Sequence, residues 1–474
     1  MEIAASGGAT VDTRGNAYGV ILKLATPTVF AMVSQSVVNE ADLYFVGRLG
    51  GCEATNSQAA LLPSLIMLWL FGGTLSAISV GTQALTARRS AEGKPEEAGA
   101  VLANAAWFAL IAGLISTLVG YAVLPMLVGL IIKNPEARGF ALTYSRWRFA
   151  GIVSMAMTFA FKAFFDGIGK TYVHMVASLA MNAVNVALCL VLIFGNLGAP
   201  RMGLAGAGLA AVISTWVGLA IMLAYAFLPE HRARYRWLRP GSISRKLTWD
   251  VLKLAIPGGV ATIALMLGFG FFLFVVGRID ASAPAELACG GKGQSLSLAA
   301  TALIIGVLKL TFTACLAFGT ATATLVGQSL GEKDAEKAAR FGWASVRLGL
   351  TIFGVVGLLE GGFFTRQILH FFNHDPHVVE TALVPMRMMG SLTPVIAVAM
   401  ILTQALFGAG SSMFVMIVEL ILHFTCLMPL AWFFGITLHR GLVGVWMAGV
   451  VYVLALGGAL VWKFARGDWK ENTI

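Results

Sequence analysis

The chain has 474 residues, 58% of them hydrophobic and 12% charged, and its mean hydropathy is +0.82; soluble domains carry about 25% charged residues. That balance excludes a soluble enzyme or a disordered chain and describes an integral membrane protein. The net charge of +10 reflects loop topology rather than nucleic-acid binding, since its densest cluster, "HRARYRWLRPGSISRK" at 231–246, separates two apolar runs.

Apolar runs of 20 or more residues recur along the chain, and about 20 cross a hydrocarbon core of roughly 30 Å. They predict an all-α membrane protein of twelve transmembrane spans, at 18–46, 55–84, 98–130, 139–166, 171–195, 203–228, 250–278, 292–328, 338–364, 378–408, 412–437 and 441–464. The runs are continuous rather than alternating, which argues against a barrel. Residues 1–17 hold no short apolar core with a cleavage site, so no removable leader is expected. An even span count puts both termini on one face. The excess of Lys and Arg on that side makes it cytoplasmic, in the cell (inner or plasma) membrane, with the lipid bilayer as partner and a monomer as the expected state. Five cysteines show no metal or CxxC spacing; Cys52 and Cys289 fall near the outer face, where a disulfide is chemically possible.

The chain repeats itself. "LKLATP" at 22 returns as "LKLAIP" at 252 and "VGRL" at 46 as "VGRI" at 276, both displaced by 230 residues. "AEGKPEEA" at 91 matches "GEKDAEKA" at 331, "FFDGIG" at 164 matches "ALFGAG" at 405, and "GLAGAGLA" at 203 matches "GLVGVWMA" at 441. Six spans are therefore duplicated as parallel repeats. The expected organisation is an N-terminal segment 1–17, a first lobe 18–228, a basic cytoplasmic linker 229–249, a second lobe 250–464 and a tail 465–474. Duplicated membrane proteins of this kind place substrate at the repeat interface, which favours a carrier.

The segments "ADLYFVGRLGG", "FFDGIGKT", "NVALCLVLIFG", "GLAGAGLAAVIS" and "GTATATLVGQSLGEKDAEKA", in this order and spacing, resemble the multidrug and toxic compound extrusion (MATE) family of the MOP flippase superfamily. The resemblance implies a V-shaped pair of six-helix lobes that export organic cations or amphipathic compounds in exchange for protons or sodium ions, with no cofactor and no resident metal. A flippase or exporter of a lipid-linked or specific amphipathic metabolite, from the same superfamily, is the alternative. An intramembrane enzyme is disfavoured, because no HExxH, GxSxG or paired-Asp motif is present. "FFDGIGKT" is not a phosphate loop, having Phe164 where the first Gly is required; it reads as a tight inner-face turn.

Asp42 stands five positions before Gly47, where the resemblance implies an ion- or proton-coupling carboxylate. An ionised carboxylate near mid-bilayer costs at least ~2.5–3.5 kcal/mol, so protonation is the low-cost way to bury it. Gln35, Asn39 and Asp42 form one helical stripe, while Ser36 and Glu40 face about 200° away. Glu40 is a candidate for the cleft between lobes or for the outer interface. In span 5, Asn185 matches an asparagine that one branch of the family places beside the span 1 Asp, and Asn182 lies one turn earlier. Where that branch continues with Asp and Pro, this chain has Cys189 and Leu190. The second lobe lacks the acids that another branch carries in spans 7 and 10, and Phe272 is the repeat equivalent of Asp42. A proton needs one carboxylate whereas sodium favours several oxygens, so protons are favoured and sodium is the alternative.

Lys309, Glu360 and Glu419 are charges inside spans of the second lobe, and such residues are functional candidates. Lys309 could also neutralise one of the glutamates as a structural pair. Glu419 and His423, spaced i to i+4, are a candidate proton relay. Tyr44 and other aromatics suit a cleft for flat cations. Pro27 and Pro257 occupy equivalent places in spans 1 and 7 and are candidate hinges or static kinks.

Overall fold

The computed structural model describes residues 16–47, 51–131, 135–239, 241–281, 296–372 and 376–471. Within these, the side chains at 35, 37–44 and 47 and a few others near 51–63, 130–137, 280–302 and 471 lie outside the description. The helices, in order, are α1 (Ala17–Gly47), α2 (Gly51–Phe71), α3 (Ile78–Ala91), α4 (Pro95–Ile131), α5 (Pro135–Ala150), α6 (Ile152–Gly167), α7 (Thr171–Leu192), α8 (Leu204–Phe227) and α9 (Pro229–Tyr235). They continue as α10 (Arg245–Ala281), α11 (Leu296–Gly331), α12 (Ala335–Gly357), α13 (Thr365–Phe372), α14 (Pro376–Ser391), α15 (Thr393–Gly408), α16 (Ser412–Leu422), α17 (Met428–Trp432) and α18 (Gly441–Arg466). No strand occurs among the described residues. Nine stretches are long and apolar enough to cross a bilayer, and three bent pairs bring the number to twelve. This is the expected all-α, twelve-span architecture; lipid offers no hydrogen-bond partners, so each span must close its own backbone bonds.

The bent pairs are breaks that apolarity does not report. α2 leads into α3 through a 3-10 turn at Gly73–Ala77 with a bend of 42°, α5 meets α6 at 43°, and α14 meets α15 at 52°. The last two breaks are repeat mates. Gly151 has φ −90° and ψ −2°, Leu392 has φ −88° and ψ −2°, and they stand 241 positions apart. A leucine makes the bend as readily as a glycine because neither angle requires φ above zero. Pro27 and Pro257, by contrast, lie inside the continuous helices α1 and α10. Spans 9 and 11 contain π-helical segments, Leu358–Phe363, His423–Leu427 and Phe433–Thr437. All three fall in the second repeat.

The repeats meet along α3 and α11, which touch at positions 240 residues apart. A Cβ on Gly327 would lie 3.1 Å from that of Ala87, and one on Gly331 would lie 2.8 Å from that of Ala91 and 2.6 Å from the carbonyl oxygen of Arg88. Gly81 meets Val251 of α10 in the same way, with only 2.2 Å to its carbonyl oxygen. α2 packs on α5, α1 and α4 of its own repeat, while α1, α3 and α6 carry contacts to α11.

The basic linker is docked rather than free. Tyr235 and Trp237 are buried among Phe161, Phe164 and Met222, and the Trp237 indole donates to Ala226 O at 3.3 Å. Asn104 of α4 fastens the far end, donating to Ser242 O at 2.8 Å and accepting from Ser244 N and the Thr248 hydroxyl at 2.8 and 2.9 Å. His231 is buried, with Nδ1 at 2.8 Å from Tyr225 O and Nε2 at 2.7 Å from the Lys170 ammonium. Burial, and then the Lys170 charge, lower its pKa below the ordinary 6.5.

Two predictions follow from this docking. The undocked linker takes up a proton on His231 near pH 6.5, while the docked form does so only at lower pH, so acidification through that range favours undocking. Amide protection factors across 229–249, referred to the intrinsic exchange rate at each pH, should therefore fall below pH 6.5, and His231→Gln should flatten that dependence; a profile unchanged by the substitution would refute the assignment. A Cβ on Gly99 would lie 1.8 Å from Tyr235 O. Gly99→Val should thus lower stability by about 1–3 kcal/mol and deprotect the linker selectively in the same exchange measurement.

Candidate functional site

α1 is the helix that both repeats hold. Near its start, Ile21, Leu24 and Ala25 pack into a core with Cys315, Phe318 and Leu325 of α11, while the Thr171 hydroxyl of α7 donates to Leu24 O at 3.2 Å. At mid-helix the two repeats take opposite faces. Asn182 Nδ2 of α7 donates to the Ser34 hydroxyl at 2.8 Å, and that hydroxyl donates in turn to Ala31 O at 3.0 Å. Two residues on, the Ser36 hydroxyl meets the Thr313 hydroxyl of α11 at 3.2 Å. A two-residue step turns a helix by about 200°, so Ser34 and Ser36 reach opposite partners.

Asn182 and Asn185 share one face of α7, and both are buried. The Cys189 thiol, one turn beyond Asn185, donates to its Oδ1 at 3.9 Å. Asn182 Oδ1 is buried without a hydrogen-bond partner among the described residues. A buried acceptor left open costs about 1–3 kcal/mol, and it is suited to receive a cation, water or protonated carboxyl. The side chains of Gln35, Asn39, Glu40, Asp42 and Tyr44 lie outside the described residues; α1 itself continues as helix to Gly47.

The second repeat sets Glu360 and His423 on π segments, with Glu419 on α16 and Lys309 on α11. Glu360 sits in Leu358–Phe363 and accepts from the Thr311 hydroxyl of α11 on Oε1 and from the Thr393 hydroxyl on Oε2 at 3.5 Å. Thr393 opens α15 just after the 52° break. His423 begins the segment His423–Leu427, fully buried, with its ring 4.8 Å from that of Tyr452 and against Gly268 of α10. Its Nδ1 donates to the backbone carbonyl of Glu419 at 2.7 Å, which leaves Nε2 the acceptor nitrogen, without a partner among the described residues. Lys309 is half-buried on α11, and its carbonyl accepts from the Thr313 hydroxyl at 2.7 Å. The structure thus joins Asn182 to α1 and Glu360 to α11 and α15. The Thr311, Thr313 and Thr393 hydroxyls were passed over in the sequence, where threonine in an apolar run reads as a helix-packing residue.

An apolar recess of about 700 Å³ lies elsewhere, lined by Phe271, Met428, Pro429, Leu430, Trp432, Phe433 and Thr437. It contains none of these candidates. Among the described residues no three His, Cys, Asp or Glu converge as a metal site.

Known proteins share this architecture from end to end. A multidrug resistance MATE family transporter of the MOP superfamily, solved in an outward-facing conformation, superposes with a TM-score of 0.85 over 100% of both chains at 20% identity. A MOP superfamily transporter from Pyrococcus furiosus, described as having a binding pocket of reversed polarity, superposes with a TM-score of 0.85 over 100% of both chains at 19% identity. Among curated proteins, the probable multidrug resistance protein NorM of Thermotoga maritima is 24% identical over 461 residues, covering 96% of this chain and 93% of that one. The multidrug resistance protein PmpM of Pseudomonas aeruginosa is 25% identical over 366 residues, 76% of this chain and 72% of that one. The MatE family itself matches residues 27–191 and 286–433, about two thirds of the chain and parts of both repeats, so the chain belongs to the MatE family of secondary transporters.

Proposed function

We propose that the chain exports organic cations or amphipathic drugs and metabolites by antiport against protons, sodium being the alternative ion. Its relatives named for multidrug resistance support drug extrusion. The observation that carries the coupling mechanism is the double attachment of α1, through Ser34 to Asn182 of the first repeat and through Ser36 to Thr313 of the second. A charge change on that helix acts on both repeats at once.

Asp42 is the coupling carboxylate of this reading. Asn182 and Asn185 offer it neutral oxygens from α7, with Gln35 and Asn39 in its own stripe, and proton uptake repacks α1 against α7. Position 40 shares the Ser36 face of the helix, one turn on, which suits Glu40 to the substrate cleft beside Tyr44. Glu360, Glu419, His423 and Lys309 form the secondary relay or cleft lining of the second lobe. Residues 18–228 and 250–464 rock as units about the 229–249 linker, with Pro27 and Pro257 as hinges. The protein works as a monomer in the cell membrane with both termini and the linker in the cytoplasm.

Reconstituted protein should drive efflux of a fluorescent organic cation when a pH gradient is imposed without sodium. Asp42→Asn should remain folded and lose gradient-driven efflux by at least about tenfold, the equivalent of about 1.4 kcal/mol of coupling. Transport that follows sodium without a pH gradient would overturn the ion choice, and wild-type rates in Asp42→Asn would overturn the residue.

A further inference from the structure

The turn "FFDGIGK" at 164–170 carries an acid that its backbone does not need. In the first repeat, Gly169 N donates to Asp166 O at 3.0 Å and Lys170 N to Phe165 O at 2.8 Å. In the second, Gly410 N donates to Phe407 O at 3.0 Å and Ser411 N to Leu406 O at 2.8 Å. The same turn is built twice, 241 residues apart, once on Asp166 and once on Phe407. Asp166 is nonetheless fully buried, with Oδ2 at 2.7 Å from the Lys162 ammonium and Oδ1 without a partner among the described residues. Burying an ion pair gains little stability over apolar packing. A carboxylate at a helix C-terminus also opposes the helix dipole. The acid therefore costs stability where phenylalanine suffices.

Asp166 also sits where the other repeat reaches in. α6 ends at Gly167, and the last carbonyls of a helix lack intrahelical donors. Two of them are taken by the other repeat, as the Thr324 hydroxyl donates to Asp166 O at 2.9 Å and Gln328 Nε2 to Gly167 O at 2.9 Å. Gln83 of α3 completes the crossing, with Nε2 at 2.9 Å from both Thr320 O and the Thr324 hydroxyl. Thr324, Gln83 and Gln328 are all buried.

Resting on the alternating-access reading above, we propose that this end of α6 is the latch of the closed inner seam. In it the Lys162–Asp166 pair positions the Asp166 and Gly167 carbonyls to receive Thr324 and Gln328 of the opposite repeat. Asp166 and Lys162 are positioning residues that touch neither substrate nor ion. When the seam opens, water replaces the donors from α11, and the ion pair keeps the last turn of α6 in shape for reclosure.

The test reads the seam directly. With the five native cysteines replaced by serine, Lys94→Cys and Lys333→Cys on the two loops beyond the seam are joined by a short bis-maleimide in proteoliposomes, with and without saturating substrate. Thr324→Val and Asp166→Asn should each lower the ratio of crosslinked to free chains by about fivefold to thirtyfold, the effect of losing one or two buried hydrogen bonds. Lys162→Met should act in the same direction, with the folded fraction checked by size-exclusion chromatography. If the wild-type yield responds to substrate but Thr324→Val, an isosteric change needing no refolding of the turn, leaves it unaltered, the latch is wrong. If the wild-type yield does not respond to substrate, the alternating-access reading fails and the latch with it.

Discussion

Backbone meets backbone where the two repeats cross, and that crossing leaves no room for side chains. A Cβ on Gly331 of α11 would lie 2.6 Å from Arg88 O of α3, and one on Gly81 of α3 would lie 2.2 Å from Val251 O of α10. Such an approach removes carbonyls and amide side chains from solvent, so each must find a donor or acceptor across the seam. Gln83, Thr324 and Gln328 supply them. A buried hydrogen bond gains only about 0.5–1.5 kcal/mol over its hydrated alternative. A seam held by a handful of them is firm when shut, yet water can take it over at modest cost. A purely apolar seam of the same area would expose greasy surface on opening and resist it.

The same economy of polar contacts sets α1 apart. Its early turns lie in a shared apolar core with α11, whereas at Ser34 and Ser36 the contacts become single hydroxyl bonds to opposite repeats. At Ser34 and Ser36, therefore, single hydroxyl bonds take the place of apolar packing, and at Val46 the helix is again held in an apolar core.

The spans and the duplication were legible because both are written in hydropathy and in short identities such as "LKLATP" and "LKLAIP". The breaks at Gly151 and Leu392 were not, since apolarity records contact with lipid or core and is blind to backbone direction. Pro27 and Pro257 lie inside helices that run on through both, whereas the sharp bends between helices fall at residues of ordinary negative φ that no residue type marks. The linker was read as a charged tether from its arginines, and its anchors, Tyr235 and Trp237, are spaced too irregularly to register as a pattern. Asp166 was seen and taken for part of a turn. Only the partner helix α11, some 160 positions distant in sequence, reveals what its neighbours' carbonyls do.

The π segments set the second repeat apart from the first. Along α7, regular 3.6-residue turns keep Asn182 and Asn185 on one side, as their spacing implies. In spans 9 and 11 the extra residue of each π turn rotates everything beyond it relative to what precedes. His423 stands at such a junction, and its Nδ1 finds the Glu419 carbonyl of the preceding turn. Glu360 likewise lies within a π segment, where the widened turn brings its carboxylate to hydroxyls on two other helices. The two lobes thus share one architecture while the second sets two of its charged or polar candidates on widened turns, and every span still closes its backbone bonds in lipid.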